Sequence, residues 1–211
     1  MKKHLKIIGL IVVITTMATM LTGCGETRKA ETVINNAFTA LKALDLETAS
    51  AHINIDKIFN DISESDDKKT DELSLDGNVF AQNLFGKMEY EIISSEKVDK
   101  NTVIVKTKIT SVNMKPVLAE YIAAAFQFSL ANAFANPQPT EEEQSNAMEK
   151  ILNESFTKVD LEMITNEVDI KVINVDNEWK IESSDELANA LLGGLPQVIE
   201  DMADSFAEIE Q

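Results

Sequence analysis

The stretch TVIVKTKITSV, from Thr102 to Val112, decides the fold class because apolar and polar side chains alternate along it. A period of two is typical of a strand with one buried face and one wet face. The stretch YEIISSEK, residues 90–97, also has strand character and precedes it across Asp99-Lys100-Asn101, which are residues that favour turns. Together the two stretches predict an antiparallel hairpin.

A second hairpin is predicted farther along the chain. NEVDIKVIN, residues 166–174, sets three apolar side chains against charged neighbours, and EWKIE, residues 178–182, follows a turn at Asp176-Asn177. Trp179 and Ile181 share one face of the returning strand. Two hairpins allow a four-stranded antiparallel sheet, whose strand order the alternation leaves open.

Helical patterns precede the strands. Apolar residues from Val33 to Leu44 have the spacing of an amphipathic helix that starts near Ala30. LETASAHI, residues 46–53, predicts a short second helix, and IDKIFNDI, residues 55–62, predicts its extension. Residues 63–76 lose all periodicity and predict an exposed loop, and residues 77–87 predict a further helix.

Other helical patterns lie between and after the hairpins. Residues 113–157 predict a helical-hairpin insertion, with Asn113 as the first cap and Thr140 with Glu143 as a capping box. The stretch from Tyr121 to Ala135 carries no charge, which predicts either burial on nearly all sides or a groove or protein interface. Burial is the simpler interpretation, because the returning helix can cover it.

The C-terminal part is predicted to be helical as well. SSDELANALLGGL, residues 183–195, predicts a capped helix that ends at Gly193-Gly194, and an acidic helix occupies residues 195–211. The fold class is therefore α+β: N-terminal helices packed on a curved antiparallel sheet of about four strands, with a helical-hairpin insertion and a C-terminal helix.

The N-terminus has the layout of a secretory signal peptide. Lys2, Lys3 and Lys6 form a basic region, and an apolar run of about fifteen residues follows from Ile7 to Leu21. A membrane-spanning helix needs roughly twenty apolar residues, so an uncleaved anchor is the weaker interpretation. Residues 1–23 are therefore predicted to be removed.

Leu21-Thr22-Gly23-Cys24 resembles the lipobox of bacterial lipoproteins. The resemblance implies that Leu21, Thr22 and Gly23 are recognised by the signal peptidase. It also implies that Cys24, the only cysteine, receives acyl chains and becomes the first residue. Two acyl chains contribute on the order of 20 kcal/mol to membrane binding, at about 0.8 kcal/mol per CH₂. The alternative is a stray free cysteine in a cleaved linker.

This processing predicts a short anchored tether, residues 24–27, and one domain over residues 28–211. Removal of 1–23 takes away three lysines, which changes the net charge from −17 to −20. Such an excess of carboxylates disfavours nucleic acid as a partner. Arg28 and Lys29 are predicted either to touch lipid headgroups or to be two solvated charges of a first helical turn.

Three further stretches resemble a known group of proteins: AFTALKALDLETASAHI at residues 37–53, NMKPVLAEYI at 113–122 and VDNEWKIESSDELANALLGGL at 175–195. They are similar to uncharacterised lipoproteins of Gram-positive gut bacteria that carry a cystatin-like, nuclear-transport-factor-2-like domain. The resemblance implies that fold and a place on the outer face of the cell membrane. It implies no functional residues.

Candidate chemistry in the sequence is sparse. His52 is the only histidine outside residues 1–23, which excludes multi-histidine metal sites and favours an ordinary surface or cap residue. Zinc would lack ligands. An EF-hand fails because a loop that starts at Asp71 has Leu73, Leu75 and Asp76 where two oxygen ligands and a glycine are needed. We predict no catalytic residue, metal or cofactor.

Two functions are compatible with this sequence. The first is a non-catalytic binding module that recognises a protein or a small apolar ligand through its sheet concavity or its insertion hairpin. The second is a pocket enzyme of the isomerase or hydrolase type with a carboxylate in an apolar cone. Its candidate bases are Glu91, Glu167 and Asp169, although alternation places all three opposite the apolar face. Tyr90 and Trp179 are candidates to line a pocket, or are plain core.

Overall fold

The computed structural model describes residues 25–60 and 79–209 of the 211-residue chain. The predicted signal peptide, the lipobox with Cys24, and the predicted loop with Asp71, Leu73, Leu75 and Asp76 lie outside the described residues. None of the helices in the described ranges combines the length and the apolar character that a membrane span requires.

The centre of the fold is a four-stranded antiparallel sheet in the order β1-β2-β3-β4. The strands are β1 (Glu89–Lys97), β2 (Thr102–Val112), β3 (Met163–Val175) and β4 (Glu178–Ile181). Both predicted hairpins are present, and β2 pairs with β3 along its whole length, from Thr102 opposite Ile173 to Val112 opposite Met163. The predicted α+β class is confirmed.

The two hairpin turns follow from local chemistry. Asp176 and Asn177 have φ angles of 53° and 69°, which match a two-residue turn with both central residues in the left-handed region. In the other turn, the amide of Asn101 donates to Oδ1 of Asp99 at 2.7 Å. Both turns lie at the same end of the sheet, because the amide of Asn174 donates to the carbonyl of Asn101.

Within residues 25–60 and 79–88, the helices that precede the sheet are α1 (Gly25–Lys42), α2 (Leu46–Ser50), α3 (Ile55–Asn60) and α4 (Val79–Phe85). Helix α1 extends to Gly25, five residues before the predicted start, and so reaches the residue next to Cys24. The prediction that residues 55–62 extend the second helix is wrong. The chain leaves α2 to form a bridge between Ile53 and Ile181 of β4, and α3 begins after it.

Helices cover the inner face of the sheet. Phe38 of α1 is fully buried and meets the ring of Tyr90 edge-on, with the ring centres 5.1 Å apart. On the sheet, the inner face contributes the buried residues Val103, Val105, Ile109, Val168, Ile170 and Val172. Packed side chains fill this part of the inner face. The prediction that a ligand binds through the sheet concavity or the insertion hairpin stays a prediction.

The helical-hairpin insertion consists of α5 (Met114–Asn132) and α6 (Glu141–Lys158). The Asn113 side chain accepts from the amide of Lys115, and Thr140 and Glu143 form both bonds of the capping box, as predicted. The prediction that the uncharged stretch is buried is wrong. Helix α6 covers only one side of α5, and Phe126, Leu130 and Phe134 are exposed.

Two C-terminal helices complete the fold: α7 (Asp185–Leu191) and α8 (Leu195–Ile209). Ser184 caps α7 by accepting from the amide of Leu187. The chain then turns through Gly193 and Gly194, both with positive φ, as expected for the predicted helix end. The carbonyl of Gly193 accepts from the amide of Met114, which ties this turn to the start of α5.

Candidate functional site

A cleft of about 670 Å³ lies between α1, the end of α2 and strand β4. This is the size range of small-molecule sites in proteins. We call it the α1–β4 cleft. Its described lining residues are Gly25, Arg28, Lys29, Thr32, Val33, Ala51, His52, Glu178 and Trp179.

Helix α1 contributes the cations of the cleft. Arg28 and Lys29 are both exposed, and neither forms a salt bridge with a described carboxylate. One turn further, the hydroxyl of Thr32 donates to the carbonyl of Arg28 at 2.8 Å, and Val33 is buried. The helix therefore presents two exposed positive charges beside the buried Val33, and neither charge is held in a salt bridge within the described part of the chain.

His52 reaches the cleft because its backbone is fixed to the sheet. It follows α2, and its carbonyl accepts from the amide of Ile181 at 2.8 Å. The next residue, Ile53, forms the bridge to the same position of β4. These bonds bring the half-buried imidazole to the strand that carries Trp179.

Trp179 is the only tryptophan of the chain and is 8% exposed. It pairs across the sheet with Asn174 and lies on the inner side of β4, as alternation predicts. Its indole Nε1 is buried and has no hydrogen-bond partner among the described residues. Because native proteins rarely leave a buried donor unpaired, this N–H is a donor that a bound molecule could satisfy after a small rearrangement.

The acids around the cleft are already paired. Glu178 at the rim forms a salt bridge with Lys180 at 3.1 Å. Glu26 of α1 forms one with Lys97 at 3.2 Å, and its pKa is lowered by a backbone hydrogen bond, by Lys97 and, to a smaller extent, by the charge of Lys29. Arg28 and Lys29 therefore give the cleft exposed positive charge in a chain whose net charge is −17.

The α1–β4 cleft thus brings together candidate residues that lie far apart in the sequence. The sequence predicts Arg28 and Lys29 as headgroup contacts or as solvated charges, and Trp179 as a pocket-lining or a core residue. It favours an ordinary surface or cap role for His52. The cleft as a site was missed, because its parts lie more than a hundred residues apart. The feature that would have indicated the cleft is the bridge between Ile53 and Ile181 of β4. The alternation of apolar and polar side chains along the strand does not reveal this bridge.

The candidate residues of the pocket enzyme do not form a site. Glu91, Glu167 and Asp169 are all exposed, and Asp169 faces Lys106 at 3.9 Å. Tyr90 packs on Phe38, and its hydroxyl donates to Oδ1 of Asn35 at 3.0 Å. In the described residues the buried polar side chains are Thr27, Thr107, Ser111 and Ser155, none of them ionisable in the physiological range.

Other concavities are less suited to a ligand. A depression of about 410 Å³ follows the exposed side of α6 and is lined by one helix alone. Another, of about 370 Å³, is lined by residues of β2, β3 and α7, and its one lining lysine, Lys106 of β2, is already paired with Asp169. Among the described residues, no group of three or more metal-ligating side chains is placed to hold an ion.

Known proteins show little similarity to this chain. The sequence matches no protein-family profile and no curated protein. Among solved structures, the chain is similar to a candidate lipoprotein from Bacillus subtilis, with 17% identity and a TM-score of 0.36. The match covers 76% of this chain and 46% of the other, so the chain spans about half the length of that protein. A TM-score this low supports no conclusion about function.

Proposed function

We propose that the protein is a lipid-anchored binding module on the outer face of the cell membrane, without catalytic activity. We further propose that the α1–β4 cleft binds an amphiphile with an anionic group. The observation that carries the proposal is the position of two exposed cations, Arg28 and Lys29, beside Trp179 in one cleft, with neither cation in a salt bridge among the described residues.

The chemistry of the lining defines the ligand class. Arg28 and Lys29 offer charge-assisted hydrogen bonds to a phosphate or carboxylate. Val33 and Trp179 offer apolar surface to an acyl or alkyl portion. His52 and the unpaired indole N–H add donors. A neutral or cationic ligand would leave the two cations without a partner.

The anchor is supported by the lipobox resemblance at Leu21-Thr22-Gly23-Cys24. Gly25, the residue after Cys24, already lines the cleft. If Cys24 carries the lipid, the cleft lies at the membrane surface, where anionic amphiphiles are abundant. The same geometry makes Arg28 and Lys29 available to headgroups.

The single tryptophan makes cleft binding measurable. Native protein in nanodiscs of neutral phosphatidylcholine is titrated with dodecyl phosphate, with inorganic phosphate, and with uncharged dodecyl maltoside, while Trp179 fluorescence is recorded. We expect a saturable change with dodecyl phosphate, a much weaker response to inorganic phosphate, and none to the maltoside. A response to inorganic phosphate as strong as that to dodecyl phosphate would indicate a plain phosphate site.

Charge removal tests which residues bind. Arg28→Gln with Lys29→Gln should weaken dodecyl phosphate binding at least about tenfold, because charge-assisted hydrogen bonds are lost. Lys115→Gln, an exposed lysine at the start of α5, is the matched control and should bind normally. Equal binding by all variants, or equal binding of the maltoside, contradicts the proposed cleft function.

The anchor is tested separately by mass spectrometry of protein extracted from membranes of a bacterial host that processes lipoproteins. We expect a chain that begins at Cys24 and carries acyl groups, and no acyl mass on the Cys24→Ala variant. Native protein that retains residues 1–23 and a free thiol would disprove the anchor, while leaving the cleft measurement unaffected.

A further inference from the structure

Helix α5 carries a stripe of large apolar side chains that no described element covers. Ile122, Phe126, Leu130 and Phe134 are 40%, 62%, 55% and 94% exposed. They recur every four residues and so follow one face of the helix and its C-terminal turn. We call them the α5 stripe. Together they leave roughly 500 Å² of apolar surface in water, since a large aromatic side chain alone offers about 150–250 Å².

Small residues separate the large ones on this face. At about 100° per residue, Ala123 and Ala133 lie on the same side of the helix as the stripe, and both are exposed. Alanines between large side chains let a second helix approach closely. The face therefore has the shape of a helix-packing surface.

The stripe is complementary to itself when two copies run antiparallel about a two-fold axis near residue 128. Ile122 then lies opposite Phe134 of the other copy, and Phe126 lies opposite Leu130. Each contact joins an aromatic ring to an aliphatic side chain. The same register sets Ala123 against Ala133, which places small residue against small residue on both sides of the axis.

The charges around the hairpin argue against a membrane as the occupant. Helices that lie on a bilayer surface carry lysine and arginine on their polar face. Helix α6 begins instead with Glu141, Glu142 and Glu143, and its Lys158 is paired with Glu120 of α5 at 3.4 Å. The base of the hairpin also lies at the end of the sheet opposite the start of α1, because Val112 pairs with Met163 there.

We propose that the α5 stripe is the interface of a homodimer, in which α5 packs antiparallel against α5 of a second copy. A stable interface buries about 800 Å² on each partner. The stripe supplies more than half of that area, and the exposed alanines and adjacent side chains of the hairpin supply the remainder. The stripe itself carries no charge, which suits a second copy of this acidic chain, because the contacts between the two stripes involve no carboxylates.

Disulfide trapping tests both the association and the register. Ala123→Cys and Ala133→Cys are introduced together in the full chain, expressed in a host that processes lipoproteins, and membranes are treated with copper phenanthroline. Within one helix the two positions are about 15 Å apart and cannot bond with each other. In the proposed dimer they lie opposite one another, so we expect a covalent dimer on non-reducing gels.

The single variants are the matched controls. Ala123→Cys alone and Ala133→Cys alone should give at most a tenth of the dimer formed by the double variant, since neither position meets its own copy. The parent chain shows any crosslinking through Cys24. No dimer from the double variant, or equal dimer from the single variants, overturns the proposal.

Two other occupants would be recognised in the same experiment. Crosslinks whose mass differs from twice that of the chain would indicate another protein. If the bilayer covered the stripe, a membrane-impermeant maleimide would label Ala123→Cys only after detergent is added, and no dimer would form. Either outcome overturns the proposed homodimer.

Adding Phe126→Asp to the double variant should abolish the covalent dimer, because a charge is placed in the middle of the stripe. The circular dichroism spectrum should stay unchanged.

Discussion

Gly193 is the residue at which backbone conformation and packing most clearly require a glycine. Its φ is +62°, and a Cβ built there would lie 1.8 Å from the carbonyl oxygen of Val112. The adjacent Gly194 also has a positive φ, of +81°, but a Cβ on it would meet a side-chain carbon only at 3.6 Å. Substitutions at the two glycines therefore distinguish the cost of a left-handed backbone, which both share, from the cost of a steric clash, which only Gly193 would have.

We expect Gly193→Ala to destabilise the fold by at least about 2 kcal/mol, because left-handed strain adds to the clash with Val112. For a domain of this size this corresponds to a fall in Tm of roughly 4–8 °C. Gly194→Ala is the control and should show only the smaller cost of strain. Thermal unfolding followed by circular dichroism measures both. Equal losses would mean that Val112 moves aside at no cost.

Asp45 provides a test of pH dependence at a single residue. Its carboxylate caps α2 by accepting from the hydroxyl of Thr48 at 2.6 Å and from the amide of Thr48 at 3.0 Å. These bonds favour the ionised form and lower the pKa of Asp45. A lowered folded-state pKa means that the stabilisation is present above the unfolded pKa and is lost as pH falls through the folded value.

Asp45→Ala should therefore lower Tm by a few degrees near pH 7, and the difference from wild type should shrink as the pH falls below about 4, the usual range of an aspartate. Asp45→Asn keeps an acceptor for the amide and should retain part of the stability without this pH dependence. The measurement is thermal unfolding over a pH series. A wild-type advantage that persists unchanged at low pH would contradict the assigned role of the carboxylate.

At the scale of elements, short-range signals predicted the structure well. The turn at Asp176-Asn177 and the capping box of Thr140 with Glu143 depend on residues within a few positions of one another, and both are present. The path after α2 was not predicted, because the bridge from Ile53 to Ile181 joins distant segments. The exposure of α5 was missed for the same reason: which face α6 covers depends on tertiary packing and not on periodicity.

The capping box makes the helical hairpin testable as a local unit. Thr140→Ala removes the acceptor for the amide of Glu143 and should cost the start of α6 about 1 kcal/mol. Because α6 contacts mainly α5 and α4, this loss should open the hairpin locally before the sheet unfolds.

Hydrogen exchange followed by mass spectrometry distinguishes the local effect from a global one. Peptides from the first turns of α6 should exchange several-fold faster in Thr140→Ala, while peptides from β2 and β3 stay protected. Thr157→Ala is the matched control at the other end of α6, where the hydroxyl donates only to the carbonyl of Glu154. Faster exchange in the sheet would show that hairpin and sheet unfold as one unit.

On the scale of the whole molecule, the sheet separates the proposed binding cleft from the base of the hairpin. Trp179 pairs with Asn174 near one end of β3, and Met163 lies at the other end. At about 3.3 Å per residue the two ends are roughly 35 Å apart. The cleft residues come from α1, from the turn after α2 and from β4. The sequence could therefore predict each element but not that they meet at one cleft.

An orientation on the membrane follows if the proposed anchor at Cys24 is correct. Gly25 lines the same cleft as Trp179, so a lipid on the preceding residue holds this end of the sheet at the bilayer and directs the Met163 end away from it. Native protein in vesicles that contain headgroup-labelled quencher lipids should therefore show quenched Trp179 fluorescence. The variant that combines Met163→Trp with Trp179→Phe should show little quenching, since Met163 is exposed at the far end. A water-soluble quencher should give the reverse order, because Trp179 is nearly buried and position 163 faces water.

Equal lipid quenching at both positions would contradict an upright orientation of the sheet. It would mean that the sheet lies flat on the bilayer, since both of its ends would then be at the membrane surface.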